Sequence, residues 1–189
     1  MNDLRSKIDR AEKAFEEGDL EFLKKILPPL IEENVPEAIR INCSFFEEGM
    51  ADEECDRIYV EGMFRAAELG DLKAKYQVGV FYDLGQFGIN QDKIRASNIF
   101  KELSESGNPH CKWIYACELI WGQGSFPKST DEGLRLLHEA AMSGSSEACM
   151  TIARFHDSGE LGFSKDIDQR DKYRRLALKY DETTYDPFA

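Results

Sequence analysis

The chain has 189 residues, of which 42% are apolar and 32% charged, with a formal net charge of -12. That composition excludes a disordered chain, which would lack the apolar residues to offset chain entropy. No apolar run approaches the ~18–20 residues of a membrane-spanning helix. The surplus of carboxylates repels phosphate backbones, which argues against nucleic acid as a partner, and it attracts basic protein surfaces.

The N-terminal segment Met1-Asn2-Asp3-Leu4-Arg5-Ser6-Lys7 is followed by no apolar h-region, so no signal peptide is expected. Five cysteines, Cys43, Cys55, Cys111, Cys117 and Cys149, are odd in number and irregular in spacing. Free thiols in a reducing, cytoplasmic compartment follow from that pattern. No pair has C-x2-C spacing, so no metal is expected, and no cofactor motif is present.

In chain order, residues 3–17 and 20–33 read as two helices around Gly18-Asp19. They form an atypical capping pair over residues 1–35. Pro28-Pro29 is expected to kink or shorten the second helix. From residue 36 onward a repeat of about 37 residues takes over. Gly49, Gly85, Gly122 and Gly159 share one register. Ala38, Ala74, Cys111 and Ala148 share a second, Gly70, Gly107 and Gly144 a third, and Ala66, Leu103, Ala140 and Ala177 a fourth.

Each unit reads as two helices. The first starts after a capping residue, Asp71, Asn108 or Ser145, whose side chain accepts from free amide groups. It ends near a glycine able to take the left-handed conformation. The second starts near Asp92, Ser129 or Asp168. Small residues let antiparallel helices approach closely, and stacking of pairs buries faces that one pair alone leaves open. The units are 36–71, 72–108, 109–145 and 146–181, followed by a tail at 182–189 that Pro187 and polar residues should leave non-helical and mobile. The expected fold is therefore all-α, an α-α superhelix of about five antiparallel helix pairs in a single domain.

The pattern Ala74-x-x-x-Val78-Gly79-x-x-Tyr82-x-x-Gly85-x-x-Gly88-Ile89-x-x-Asp92-x-x-x-Ala96-x-x-x-Phe100, closing at Gly107-Asn108, resembles the Sel-one-like repeat (SLR), a relative of the tetratricopeptide repeat. The likeness covers residues 36–181. In the first unit, residues 50–56 depart from the glycine pattern of the inter-helix loop and hold acidic residues instead. The resemblance implies a right-handed superhelix whose concave surface scaffolds protein complexes. Many bacterial members act as adaptors, host-interaction factors or immunity proteins against secreted toxins.

Two surfaces are candidates for a partner. On the first helices, Lys73, Gln77, Val80 and Leu84 align with His110, Ile114, Cys117 and Trp121, and the last unit adds Thr151, Arg154 and Ser158. Steps of three and four place these residues on one helical stripe, and their chemistry changes from unit to unit. Trp121 and Leu84 are the anchor candidates, although Trp121 can also pack under its loop against Phe126. The second surface is acidic: Glu47, Glu48, Asp52, Glu53, Glu54 and Asp56. A solvated face serving solubility is the plainer reading of that cluster.

Catalytic motifs are absent from the sequence. His138-Glu139 lacks the second histidine of H-E-x-x-H, because position 142 is Met142. Gly85-x-x-Gly88 and Gly122-x-Gly124 lack the Gly-Lys-Ser/Thr of a phosphate loop. The expected function is a non-enzymatic adaptor or scaffold that binds a protein partner in its groove. The alternative is an acidic inhibitor, such as an immunity protein, that binds a basic bacterial toxin 1:1.

Overall fold

The computed structural model describes residues 2–46 and 49–188. Among the described residues it is all-helical, with ten helices and no strand. They are α1 (Asn2–Glu17), α2 (Leu20–Glu32), α3 (Pro36–Asn42), α4 (Asp52–Glu68), α5 (Leu72–Leu84), α6 (Lys93–Glu105), α7 (Pro109–Trp121), α8 (Thr130–Met142), α9 (Ser146–Ser158) and α10 (Ile167–Tyr180). Two compact units divide the chain, residues 1–92 and 93–189. In the first, α1 to α5 pack each on the next, and α1 also meets α3. In the second, α6 to α10 do the same, and α7 also meets α9.

Local sequence explains the helix ends. Asp71, Asn108 and Ser145 each precede a helix and accept from the amides of Ala74, Cys111 and Ala148, at 2.6, 2.9 and 3.1 Å. Such a cap satisfies one of the amide groups that the first turn leaves open. At the other end of α5, α7 and α9, Gly85, Gly122 and Gly159 adopt φ of 68°, 67° and 76°. That conformation costs glycine nothing and closes the last turn.

The repeated small positions form the interior. Ala74, Cys111 and Ala148 are fully buried, as are Ala66, Leu103, Ala140 and Ala177. Around them sit Phe81 in the first unit and Ile120, Leu137, Ile152 and Phe155 in the second. Each such large side chain contributes roughly 1.5–3 kcal/mol by leaving water. All five cysteines are free thiols.

The structure corrects four expectations. The first helix of the first repeat ends at Asn42, far short of Gly49. There Ser44 Oγ donates to the Arg40 carbonyl at 2.7 Å and Cys43 Sγ to the same oxygen at 3.3 Å, so side chains compete with the helical backbone for that acceptor. The acidic segment read as loop is helical from Asp52 onward, where Asp52, Glu53 and Glu54 form the first turn of α4. Carboxylates are favoured there because the helix start carries partial positive charge. Pro28 and Pro29 do not shorten α2, which runs through them to Glu32. The tail is non-helical yet held. Arg174 Nε donates to Asp186 at 2.6 Å, and the Arg170 guanidinium lies 5.3 Å from the centre of the Phe188 ring.

Candidate functional site

In the second unit, α7 and α9 lie side by side, and two adjoining depressions of about 360 and 490 Å3 open along them. Trp113, Thr151 and Arg154 line both. The larger one continues over Cys117 and Trp121 of α7 and over Phe155 and Ser158 of α9. The smaller one runs past Glu147 and Met150 to Thr184 and Tyr185, so the tail walls its end. Five of the seven stripe residues in this unit, Cys117, Trp121, Thr151, Arg154 and Ser158, therefore meet in one cleft.

Thirty-seven-residue spacing explains why. The repeat sets α7 and α9 side by side, so that His110–Glu147 joins equivalent positions and Trp113–Thr151 joins near-equivalent ones. Trp113 Nε1 donates to Thr151 Oγ1 at 3.0 Å, which fixes the indole as a wall of the cleft. His110 Nδ1 lies 2.7 Å from Glu147 Oε1. That hydrogen bond, against the opposing effect of burial and with help from a backbone amide and the Ser145 hydroxyl, brings the Glu147 carboxyl down to about 2. Trp121 is 42% exposed, and its ring meets the Phe155 ring edge-on with centroids 6.1 Å apart. Phe126, the neighbour expected for Trp121, packs instead edge-on against Tyr115, with ring centroids 5.1 Å apart. Arg154 is exposed, and the two depressions it lines also hold Glu147 and Asp181 in one and Asp157 and Glu160 in the other. Asp157 accepts from Arg170 at 3.1 Å.

The remaining stripe residues have separate settings. His110 is tied to Glu147, and Ile114 is half-buried on α7. The four on α5 lie in the first unit. Lys73 reaches Glu12 of α1 at 3.2 Å, Gln77 and Val80 are half-buried, and Leu84 is 54% exposed. Of the acidic residues, Asp52, Glu53, Glu54 and Asp56 are exposed on α4; Glu47 and Glu48 lie outside the described residues.

Sequence reasoning missed Trp113, the central wall. Its register, Tyr76, Trp113 and Met150, repeats at 37 residues like the others and sits on the same helical face as His110 and Cys117. Burial pushes the Cys117 thiol up to about 11, so it stays protonated at neutral pH and is a poor nucleophile. Cys43 and Cys149 are pushed up to about 11 and Cys111 to about 12 for the same reason. His138 and His156 are occupied in aromatic stacking with Phe163 and Tyr173. No group of three His, Cys, Asp or Glu able to hold a metal occurs among the described residues. No described helix is long and apolar enough to cross a membrane.

No protein-family model matches the chain. Chitin synthase regulatory factor 1 of Schizosaccharomyces pombe is 26% identical over 187 residues, which is 95% of this chain and 40% of that protein. The chain thus spans well under half the length of that curated relative. A Sel1 repeat protein from Oxalobacter formigenes superposes with a TM-score of 0.69 at 20% identity, over 92% of this chain and 70% of that one. A protective antigen present in uropathogenic Escherichia coli strains and displaying an SLR fold gives a TM-score of 0.64 at 20% identity, over 89% of this chain and 37% of that one. At such identities the likeness speaks to architecture, and the architecture of this chain is the Sel1-like repeat solenoid fold.

Proposed function

We propose that this chain is a non-enzymatic adaptor that binds a protein partner, and that the cleft between α7 and α9 receives an extended segment of that partner. The observation behind this reading is the convergence of the unit-to-unit variable stripe on one open cleft. There Trp113 and Trp121 stand on α7 and Arg154 on α9. Exposed tryptophan and arginine are the residue types that dominate protein–protein binding energy. A relative described as a regulatory factor fits a role exerted through binding rather than through bond chemistry. The inhibitor reading rests on small size, net charge and the acidic cluster, and these relatives add nothing to it. Affinity capture from cell extract tests the proposal. A partner taken up by the wild-type chain and lost with both Trp121→Ala and Arg154→Glu supports it; a partner retained by both variants contradicts it.

A further inference from the structure

The first unit holds an apolar cup that the adaptor reading does not use. A depression of about 490 Å3 is lined by Phe15, Ser44, Phe46, Asp56, Tyr59 and Phe87. A second of about 380 Å3 adjoins it through Asp56 and Phe87 and extends to Glu53, Arg57, Val60 and Glu61, three carboxylates against one cation. Phe87 is the divider between them. It is 41% exposed, although its ring packs edge-on against Tyr59 and Phe81 with centroids 5.6 and 5.4 Å away.

The backbone that presents Phe87 belongs to the repeat, but the aromatic ring does not. Phe87 has φ 54° between Gly85 and Gly88, both left-handed as well. Leu161 has φ 52° between Gly159 and Gly162, one loop geometry used twice. Leu161 is half-buried against the core of the second unit, whereas Phe87 turns a larger face to solvent. Packing on Phe81 accounts for an apolar residue at this loop position, as it does for Leu161, but not for the two-fifths of Phe87 left to solvent.

The rim determines the occupant. Asp52, Glu53, Glu54 and Asp56 are all exposed on the first two turns of α4. The one cation among them, Arg57, is shared between Glu54 at 3.7 Å and Glu61 at 3.4 Å. Asp52, Glu53 and Asp56 make no ion pair among the described residues. An apolar cup beside a surplus of carboxylates complements an apolar side chain flanked by positive charge, and it disfavours anionic surfaces such as phosphate backbones or acidic lipid.

We infer that this cup is a second docking site, for a segment of another protein that inserts an aromatic side chain between lysines or arginines. The site is independent of the cleft between α7 and α9, and Trp121→Ala serves as the control that separates the two.

The probe is a fluorescein-labelled, capped Arg-Lys-Phe-Lys-Arg peptide titrated into the full chain by anisotropy, beside peptides with Ala for Phe and with Glu for the basic residues. Expected is saturable binding of the first peptide, weakened about ten-fold by Ala for Phe and abolished by Glu. Phe87→Gly should weaken it about ten-fold, since glycine accepts that backbone angle without strain. Glu53→Lys and Asp56→Lys, both exposed, should do the same and reduce its salt dependence. Trp121→Ala should leave it unchanged. Equal binding of the Ala peptide would reduce the site to general charge attraction and overturn the inference. So would no binding at the highest peptide concentration, or loss through Trp121→Ala. Self-association of the chain that disappears in Phe87→Gly would also overturn it, by assigning the cup to a second copy.

Discussion

Arg40 shows how one side chain joins three helices. It is 7% exposed; its Nε donates to Asp71 at 3.0 Å and its Nη2 to Glu12 of α1. Asp71 spends its other oxygen capping α5. Removing Arg40 leaves the buried Asp71 carboxylate without its ion pair, while Glu12 keeps Lys73, so Arg40→Ala should cost about 3 kcal/mol, read from urea denaturation. His110 and Glu147 do similar work between α7 and α9. The Glu147 carboxyl sits at about 2 rather than its ordinary 4.5, with the His110 hydrogen bond as the main cause. The folded state therefore favours ionised Glu147. That stabilisation is complete above about pH 4.5 and is lost as pH falls through about 2. Both side chains are 36% exposed, so solvent screening trims the effect to about 1 kcal/mol. His110→Ala should flatten the acid limb of stability against pH by that amount, and an unchanged limb would show that the pair contributes little.

At the level of helices, close approach is set by individual small residues. A Cβ added at Gly133 of α8 would stand 2.6 Å from Ile120 Cγ1 and 2.8 Å from the Ala116 carbonyl of α7. Gly→Ala inside a helix normally gains up to about 1 kcal/mol. Here Gly133→Ala should instead lose about 1–3 kcal/mol through overpacking against backbone, visible as a lower melting temperature. The helices themselves are legible in the sequence because their signals are local: a capping Asp, Asn or Ser, a glycine at the far end, and a small residue recurring every 37 positions. Short α3 is not legible, because its end depends on Ser44 and Cys43 bonding back to Arg40. The acidic segment misleads for a related reason. It lacks the loop glycines of the other units, and its carboxylates suit a helix start equally well. In the candidate cleft, the stripe is visible from its variation between units, whereas Trp113 and the contacts Trp113–Thr151 and Trp121–Phe155 emerge only when α7 and α9 are set side by side.

For the molecule as a whole, a net charge of -12 adds long-range attraction for a basic partner and should speed association at low salt. Charge alone does not select a partner; under the proposed function that task falls to the walls of the cleft. The decisive measurement is an equilibrium titration of the captured partner against the wild-type chain, Trp121→Ala, Arg154→Glu and the exposed control Ile94→Ala, with melting curves for each. If the cleft between α7 and α9 holds the partner, both cleft variants bind about ten-fold or more weakly with unchanged melting, while Ile94→Ala binds as the wild type does. Wild-type affinity in both cleft variants would contradict that assignment and place the binding surface elsewhere on the chain.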